Sequence, residues 1–223
     1  MIITETRKRR GKLYLLVLDG EPAMTVDART FDESPFRVGS VITDDQLREL
    51  LDQAARRRTR EKALYLLSMR DHSRAELEEK LRREGDREAA AETAERMEEL
   101  GLVNDEAYAY RLAEELRRRK LYPLRRTEQE LTARGVDREL ARRAAEDLDI
   151  KDADLALELL RKKYYNRLQT EEDRRKTQAA LARRGFGGGD IRRAMDAFRE
   201  EMGGWADNGG MEPEIGEITE EWP

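Results

Sequence analysis

The 223-residue chain has no cysteine and one histidine. Without cysteine there is no disulfide framework and no thiol catalysis, which favours a cytoplasmic protein. Zinc sites need several His or Cys ligands, so the lone His72 is predicted to be a turn residue and not a metal ligand. No apolar run approaches the roughly 18 residues that a membrane span needs, and the N-terminus lacks the features of a signal peptide.

Catalytic signatures are also missing. The glycine run Gly187-Gly188-Gly189 is not followed by the lysine and hydroxyl residue of a phosphate-binding loop, so it is predicted to be a link between helices. Carboxylates are abundant, but none stands out from solvated helix faces as an acid–base pair. We therefore expect a protein that is not an enzyme and that needs no cofactor.

Aromatic residues are few, at 6%, whereas 42% of the residues are charged and 38% are hydrophobic. This balance suits slender helical units with narrow apolar stripes better than one compact globule. Glu200–Pro223 holds eight of the 49 acidic residues and no lysine or arginine, which leaves 41 acids against 44 bases in residues 1–199. A mildly basic body with an acidic tail permits contact with a polyanion but does not require it. We expect the tail to screen or compete for the basic surface.

A repeat is indicated by three glycines, Gly85, Gly135 and Gly185, which are spaced 50 residues apart. Glycine commonly ends a helix in the left-handed conformation, and a fixed period of this length is typical of helical repeat arrays. Chance spacing of ordinary helix caps is the alternative. The repeat is favoured because a leucine precedes each glycine by four residues: Leu81, Leu131 and Leu181.

The predicted fold is mainly α, with tandem three-helix repeats in an elongated, curved array and a small N-terminal β-hairpin element. Stacking such repeats buries a continuous core that no single repeat can form. The predicted boundaries are a β-element at 1–43, a linking helix at 44–59, three-helix repeats at 60–104, 105–150 and 151–202, and a flexible acidic tail at 203–223.

In the β-element, Lys12–Leu18 is rich in strand-forming residues, and Asp19-Gly20 is a hairpin turn signal. The return strand is predicted at Ala23–Ala28. Residues Phe36–Ile42 form either a third strand or an extended link. Because a lone hairpin is marginally stable, we expect it to pack on a helix.

Two capping boxes, Thr43–Gln46 and Ser73–Glu76, predict the starts of helices. The first helix is predicted to run to about Arg58, with a separate helix at Glu61–Met69. Further predicted caps are Asn104 or Asp105 for one helix and Thr170 for another.

Four basic clusters are candidate contacts for a polyanion or an acidic protein. The strongest lies in Arg117–Arg126, where six bases fall within ten residues that contain no acid. The alternative for each cluster is an exposed helix face balanced by glutamates. Tyr122 either stacks on a base or fills a helix junction, and Tyr110 and Tyr165 lie off the apolar stripes and are candidate partner contacts. The predicted site residues are Arg56, Arg57, Arg58, Arg117, Arg118, Arg119, Lys120, Tyr122, Arg125, Arg126, Arg161, Lys162, Lys163, Arg174, Arg175 and Lys176.

Three stretches, Arg70–Leu81, Leu100–Ala109 and Tyr122–Val136, resemble in sequence and order the RecX family of bacterial recombination regulators. The resemblance implies a cytoplasmic helical protein that modulates the RecA recombinase without being an enzyme. Such proteins bind the RecA filament and the single-stranded or double-stranded DNA within it, lie along its groove, and usually inhibit its ATPase, strand-exchange and coprotease activities. Separately from the resemblance, we expect a monomer. The alternative hypothesis is a sequence-nonspecific nucleic-acid-binding helical module without a dedicated recombinase partner.

Overall fold

The computed structural model describes residues 1–83, 85–166 and 168–204. The remaining residues of the predicted tail, including Trp205 and Trp222, lie outside the described part. Two compact units are formed: one from Met1–Leu116 with Thr127–Leu148, the other from Arg117–Arg126 with the described residues from Asp149 onward. The predicted second repeat therefore contributes residues to both units.

The described residues are mainly helical. The strands are β1 (Ile3–Arg9), β2 (Leu13–Leu18) and β3 (Glu21–Asp27), and the helices are α1 (Ala28–Glu33), α2 (Asp44–Met69), α3 (Arg74–Arg82), α4 (Arg87–Glu99), α5 (Asp105–Glu114), α6 (Leu124–Ala133), α7 (Arg138–Glu146), α8 (Asp152–Leu159), α9 (Glu171–Arg183) and α10 (Gly188–Glu201). Single π-helical turns extend α5 at Glu115–Arg119 and α8 at Leu160–Tyr164.

The N-terminal sheet is antiparallel, with strand order β1-β2-β3. The predicted hairpin turn is confirmed: Asp19 and Gly20 both have positive φ, at 50° and 88°, which matches the right-handed twist of the flanking strands. The third strand is β1, which was not predicted. Residues 36–42 contribute only an isolated bridge, between Ile2 and Val41.

The sheet packs on α1 and α2, as expected for a small β-element. Ile3, Leu16 and Val26 from the three strands join Phe31 of α1 and Leu50 of α2 in one buried cluster. Burial on this scale stabilises the fold by about 1.5–3 kcal/mol for each large apolar side chain.

Helix α2 begins with the predicted capping box at Thr43 and Gln46. It then continues to Met69, so the predicted break between a linking helix and a first repeat helix is wrong. The arginine-rich stretch around residue 58 contains no glycine or proline, and arginine is a good helix former. Buried Ala54 and Ala63 on either side keep one face of the helix against its neighbours.

Two of the three predicted glycine caps are confirmed. The turn after α6 has Gly135 at φ 80°, and the amide of Val136 donates to the carbonyl of Leu131 over 3.2 Å. The turn after α9 repeats this arrangement at Gly185. Gly85 does not have a positive φ. Its following residue, Asp86, already caps α4, so no left-handed reversal is needed there.

Near these glycine caps, the starts of two pairs of helices are held together by similar contacts, which we call the first joint and the second joint. In the first, the carboxylate of Asp105 at the start of α5 accepts from the amide of Arg74 at the start of α3, over 2.7 Å. In the second, Asp152 at the start of α8 accepts from the amide of Leu124 at the start of α6, over 3.0 Å. Carboxylates are favoured there because the first amides of a helix lack partners within the helix.

The glycine turns complete both joints. Gly135 lies against Ala75 and Ser73 of the first joint, and Gly185 lies against Pro123 of the second. At the first joint the hydroxyl of Ser73 also donates to the carbonyl of Arg134. The period of 50 residues thus corresponds to a repeated packing contact, not only to repeated helix ends.

Candidate partner-binding surface

The strongest predicted cluster contains one residue that is not on the surface. Arg117 is only 1% exposed, and its guanidinium bonds Asp152 over 2.9 Å, the carbonyl of Tyr122 over 3.3 Å and the carbonyl of Ile150. This corrects its predicted placement as a partner contact. A buried arginine needs these acceptors because an unpaired charge in the interior is strongly unfavourable.

Tyr122 fills the helix junction. It is half-buried, and the guanidinium of Arg126 lies 4.1 Å from its ring centroid, with one nitrogen 3.3 Å from the phenol oxygen. Since Arg126 already covers one face of the ring, that face is not available to stack on a base, which is what the first alternative requires.

Four exposed bases remain, and we call them the junction cluster: Arg118, Arg119, Lys120 and Arg125. The π-helical turn after α5 carries the first two. Leu121 then takes a left-handed φ of 55° and is buried in the core of the second unit beside Leu155 and Leu159. Because Leu121 is buried, this reversal of the chain fixes the backbone between Lys120 and Arg125. The backbone that carries the exposed bases is therefore held in place by a buried leucine.

Within the described part of the chain, Arg119 and Arg125 form no ion pair. The contact between Gly185 and Pro123 also places Arg183 and Arg184 at this junction. These two arginines are not among the predicted site residues. The sequence feature that could have identified them is their position directly before the repeated glycine cap at Gly185.

Most of the positive charge in the cluster at Arg56, Arg57 and Arg58 is neutralised by nearby glutamates. Arg56 lies 3.4 Å from Glu92, and Arg57 lies 2.7 Å from Glu33 and 3.5 Å from Glu61. Glu33 has its pKa lowered, chiefly by the hydrogen bond from Arg57. Arg58 alone of the three is both exposed and without an ion pair among the described residues.

The two later clusters are compensated in the same way. Arg161 pairs with Glu201, Lys162 with Glu158 over 2.6 Å, and Lys176 with Glu172 over 2.6 Å. Glu171 accepts from Arg174 and Arg175, over 3.1 Å and 3.2 Å. Lys163 is exposed and has no ion pair within the described ranges. Most of these bases therefore match the alternative of a balanced helix face.

The two tyrosines that were predicted as candidate partner contacts each make a contact within the chain. The hydroxyl of Tyr110 donates to Asp147 over 2.6 Å, and this hydrogen bond raises the pKa of Tyr110. Tyr165 is exposed on one side and packs edge-to-face on Phe198, with ring centroids 6.1 Å apart. Tyr165 is therefore the more accessible of the two.

A polar network lies under the first joint, centred on Glu76. Ser73 caps α3 as predicted, but Glu76 does not complete a capping box; it pairs with Arg70 instead. Nδ1 of the buried His72 lies 3.2 Å from Glu76, and the hydroxyl of Tyr108 lies 3.4 Å away. Burial raises the pKa of Glu76, but the bonds from Arg70 and His72 outweigh it and lower this pKa to about 2.

We expect this network to lose its stabilising effect under acid conditions. A depressed carboxyl pKa contributes stability that is complete above the unfolded value, near 4.5, and disappears as the pH falls toward about 2. Urea denaturation of the parent and of Glu76→Gln should therefore show a stability difference at pH 6 that shrinks by pH 3. Glu139→Gln, at an exposed pair, is the control and should show little difference at either pH. A pH-independent difference for Glu76→Gln would contradict this account.

The helical part of the chain matches three family models: the first RecX three-helix domain at residues 60–97, the second at 104–144 and the third at 151–195. A regulatory protein RecX of Corynebacterium efficiens is 32% identical over 152 residues, which cover 64% of this chain and 71% of the relative. The chain belongs to the RecX family.

Other RecX relatives extend the match. A regulatory protein RecX of Caldanaerobacter subterraneus subsp. tengcongensis is 29% identical over 198 residues, covering 88% of this chain and 99% of the relative. A RecX crystal structure superposes with a TM-score of 0.60 at 19% identity, covering 87% of this chain and 98% of that one. RecX from Lactobacillus salivarius gives a TM-score of 0.55 at 21% identity, covering 65% and 96%. At these identities the RecX structures show the shared fold alone.

Proposed function

We propose that this RecX-family protein binds the filament that RecA forms on DNA and inhibits the ATPase, strand-exchange and coprotease activities of RecA. It acts in the cytoplasm as a monomer, without bond chemistry of its own. Support comes from the membership of a family whose relatives are named regulatory proteins. No helix in the described part is long and apolar enough to span a membrane.

The observation that carries the proposal is the junction cluster. Its exposed bases follow the buried Arg117 and lie on both sides of the buried, left-handed Leu121, so their backbone is fixed by the core of the second unit. Arg119 and Arg125 have no intramolecular counter-charge among the described residues, so they are available to carboxylates of RecA or phosphates of DNA. Arginine recognises both groups with paired, charge-assisted hydrogen bonds.

The test is the RecA ATPase on single-stranded DNA, measured with increasing amounts of the protein. We expect inhibition by the parent, and we expect Arg119→Gln/Arg125→Gln to need at least about tenfold more protein, because even one lost charged hydrogen bond is worth about 1.5–3 kcal/mol in binding. The matched control is Arg96→Gln/Arg142→Gln, which removes two exposed arginines that are already ion-paired.

Two outcomes would count against the proposal at different levels. An unchanged ATPase with equimolar or excess parent protein would reject RecA modulation. Inhibition with equal potency for the parent and the junction variant would reject the role of Arg119 and Arg125 alone.

The alternative function, a nucleic-acid-binding helical module, is favoured by the same uncompensated arginines. It predicts tight binding to naked DNA with a steep salt dependence that RecA does not change. The compensated clusters on α2, α8 and α9 argue against it, because paired bases contribute less to phosphate binding.

A further inference from the structure

The densest basic run in the chain lies outside the helical repeats. Residues Arg7–Lys12 contain five bases and one glycine, with no acid. They form the last three residues of strand β1 and the turn that follows it. This run is not among the predicted site residues, and it precedes the first matched family domain, which begins at residue 60.

The run lies on an open sheet edge. Strand β1 pairs with β2 on one side only. On its other side, Ile3 exchanges backbone hydrogen bonds with Gly39 and Ser40. Beyond Ile3, no other strand of the described chain pairs with this edge, so residues 5–9 border solvent along their length.

The sheet register shows what surrounds the bases on each face. Arg7 lies opposite Leu15, and Arg9 lies opposite Leu13, so these two arginines share one face with half-buried leucines. Lys8 lies opposite Tyr14, on the other face. None of these three partners carries a counter-charge.

The next strand supplies no free acid either. Asp27 of β3 pairs with Leu13, but its carboxylate is nearly buried and accepts from the amide of Thr30 over 2.9 Å as the cap of α1. Arg7 pairs with Glu5 over 2.7 Å. In the part of the chain that the structure describes, the other four bases have no ion pair: Lys8, Arg9, Arg10 and Lys12.

A structural role for edge charges explains part of this pattern, since lysine or arginine on an edge strand prevents pairing between molecules. One or two charges are enough for that purpose. Five in six residues repel one another, and close like charges in a sheet are destabilising. A polyanionic ligand would remove this repulsion, whereas among the residues described in the structure only Glu5, paired with Arg7, offsets any of it.

We propose that this basic hairpin, Arg7–Lys12, binds the phosphate backbone of nucleic acid independently of any recombinase. The face with Arg7 and Arg9 presents leucines and no aromatic ring, so it offers charge but no platform for stacking bases. Binding is therefore independent of base sequence. A continuous cationic run without interleaved acids matches a phosphate backbone better than a protein surface of mixed charge.

The experiment uses the full chain and a labelled oligothymidylate, without recombinase, in a fluorescence anisotropy titration at several salt concentrations. The variant is Lys8→Gln/Arg9→Gln/Arg10→Gln. The control, Arg48→Gln/Arg96→Gln/Arg142→Gln, changes the net charge equally but removes exposed arginines that are already ion-paired. Thermal melting should show that both variants stay folded, since all six side chains are exposed.

We expect the hairpin variant to bind at least about tenfold more weakly at low salt. Its logarithmic salt slope should be shallower by about 2, because each neutralised phosphate contributes about 0.7 on single strands. The control should stay within about twofold of the parent. Equal effects of the two variants would overturn the proposal, as would an effect limited to vesicles of anionic lipid or to polyglutamate. Neither result bears on the ATPase test, so the two proposals fail separately.

Discussion

Gly135→Ala is expected to destabilise the first unit far more than Gly101→Ala. Both glycines end helices with a positive φ, at 80° and 71°. Either alanine incurs a conformational cost of about 1–2 kcal/mol in the left-handed region. At Gly101 a new Cβ meets nothing within 4 Å, whereas at Gly135 it falls far inside van der Waals contact with Cβ of Ala75.

The added cost at Gly135 comes from overpacking at the joint. Ala75 lies in the first turn of α3, so relief requires a shift of the turn after α6 away from α3. That shift would also stretch the bond from Ser73 to the carbonyl of Arg134. Overpacking of this kind costs about 1–3 kcal/mol beyond the conformational term.

Thermal melting and urea denaturation would measure the difference directly. For a unit of this size, 1 kcal/mol corresponds to about 2–4 °C, so we expect Gly101→Ala to melt a few degrees lower and Gly135→Ala about 4–20 °C lower. The double change Ala75→Gly/Gly135→Ala removes the clashing Cβ and should recover part of the loss. Equal effects of the two single changes would show that the joint is not close-packed.

Local signals in the sequence were sufficient where structure depends on neighbouring residues. The caps at Thr43, Ser73, Asn104 and Thr170 and the hairpin turn at Asp19 each involve residues within a few positions of one another, and all are confirmed. Strand β1 was not predicted because only Ile3 of its seven residues is buried, so its sequence lacks an apolar pattern. Gly85 was misread because a matching period did not reveal that Asp86 starts a new helix.

The candidate surface was harder to predict because exposure depends on contacts distant in sequence. A count of bases cannot show that Glu92 approaches Arg56 or that Glu201 approaches Arg161. One residue did carry a usable signal. Arg117 lies four residues after the buried Ala113, so helical periodicity places it on the apolar stripe of α5.

That position makes Arg117 the residue whose loss should most affect the second unit. Arg117→Met keeps much of the side-chain volume but leaves Asp152, the carbonyl of Ile150 and the carbonyl of Tyr122 without their cation. Removing one partner of a buried ion pair typically costs about 3–5 kcal/mol. We expect a comparable loss in urea denaturation, with unfolding of α8 and the junction.

The matched comparison is Arg119→Met, two residues along the same basic run but exposed. It should leave the free energy of unfolding within about 0.5 kcal/mol of the parent, as is usual for surface changes. Adding Asp152→Asn to Arg117→Met removes the orphaned charge and should recover part of the lost stability. If Arg117→Met instead leaves stability intact, the guanidinium is not held in the interior, and Arg117 is again a candidate partner contact beside the junction cluster.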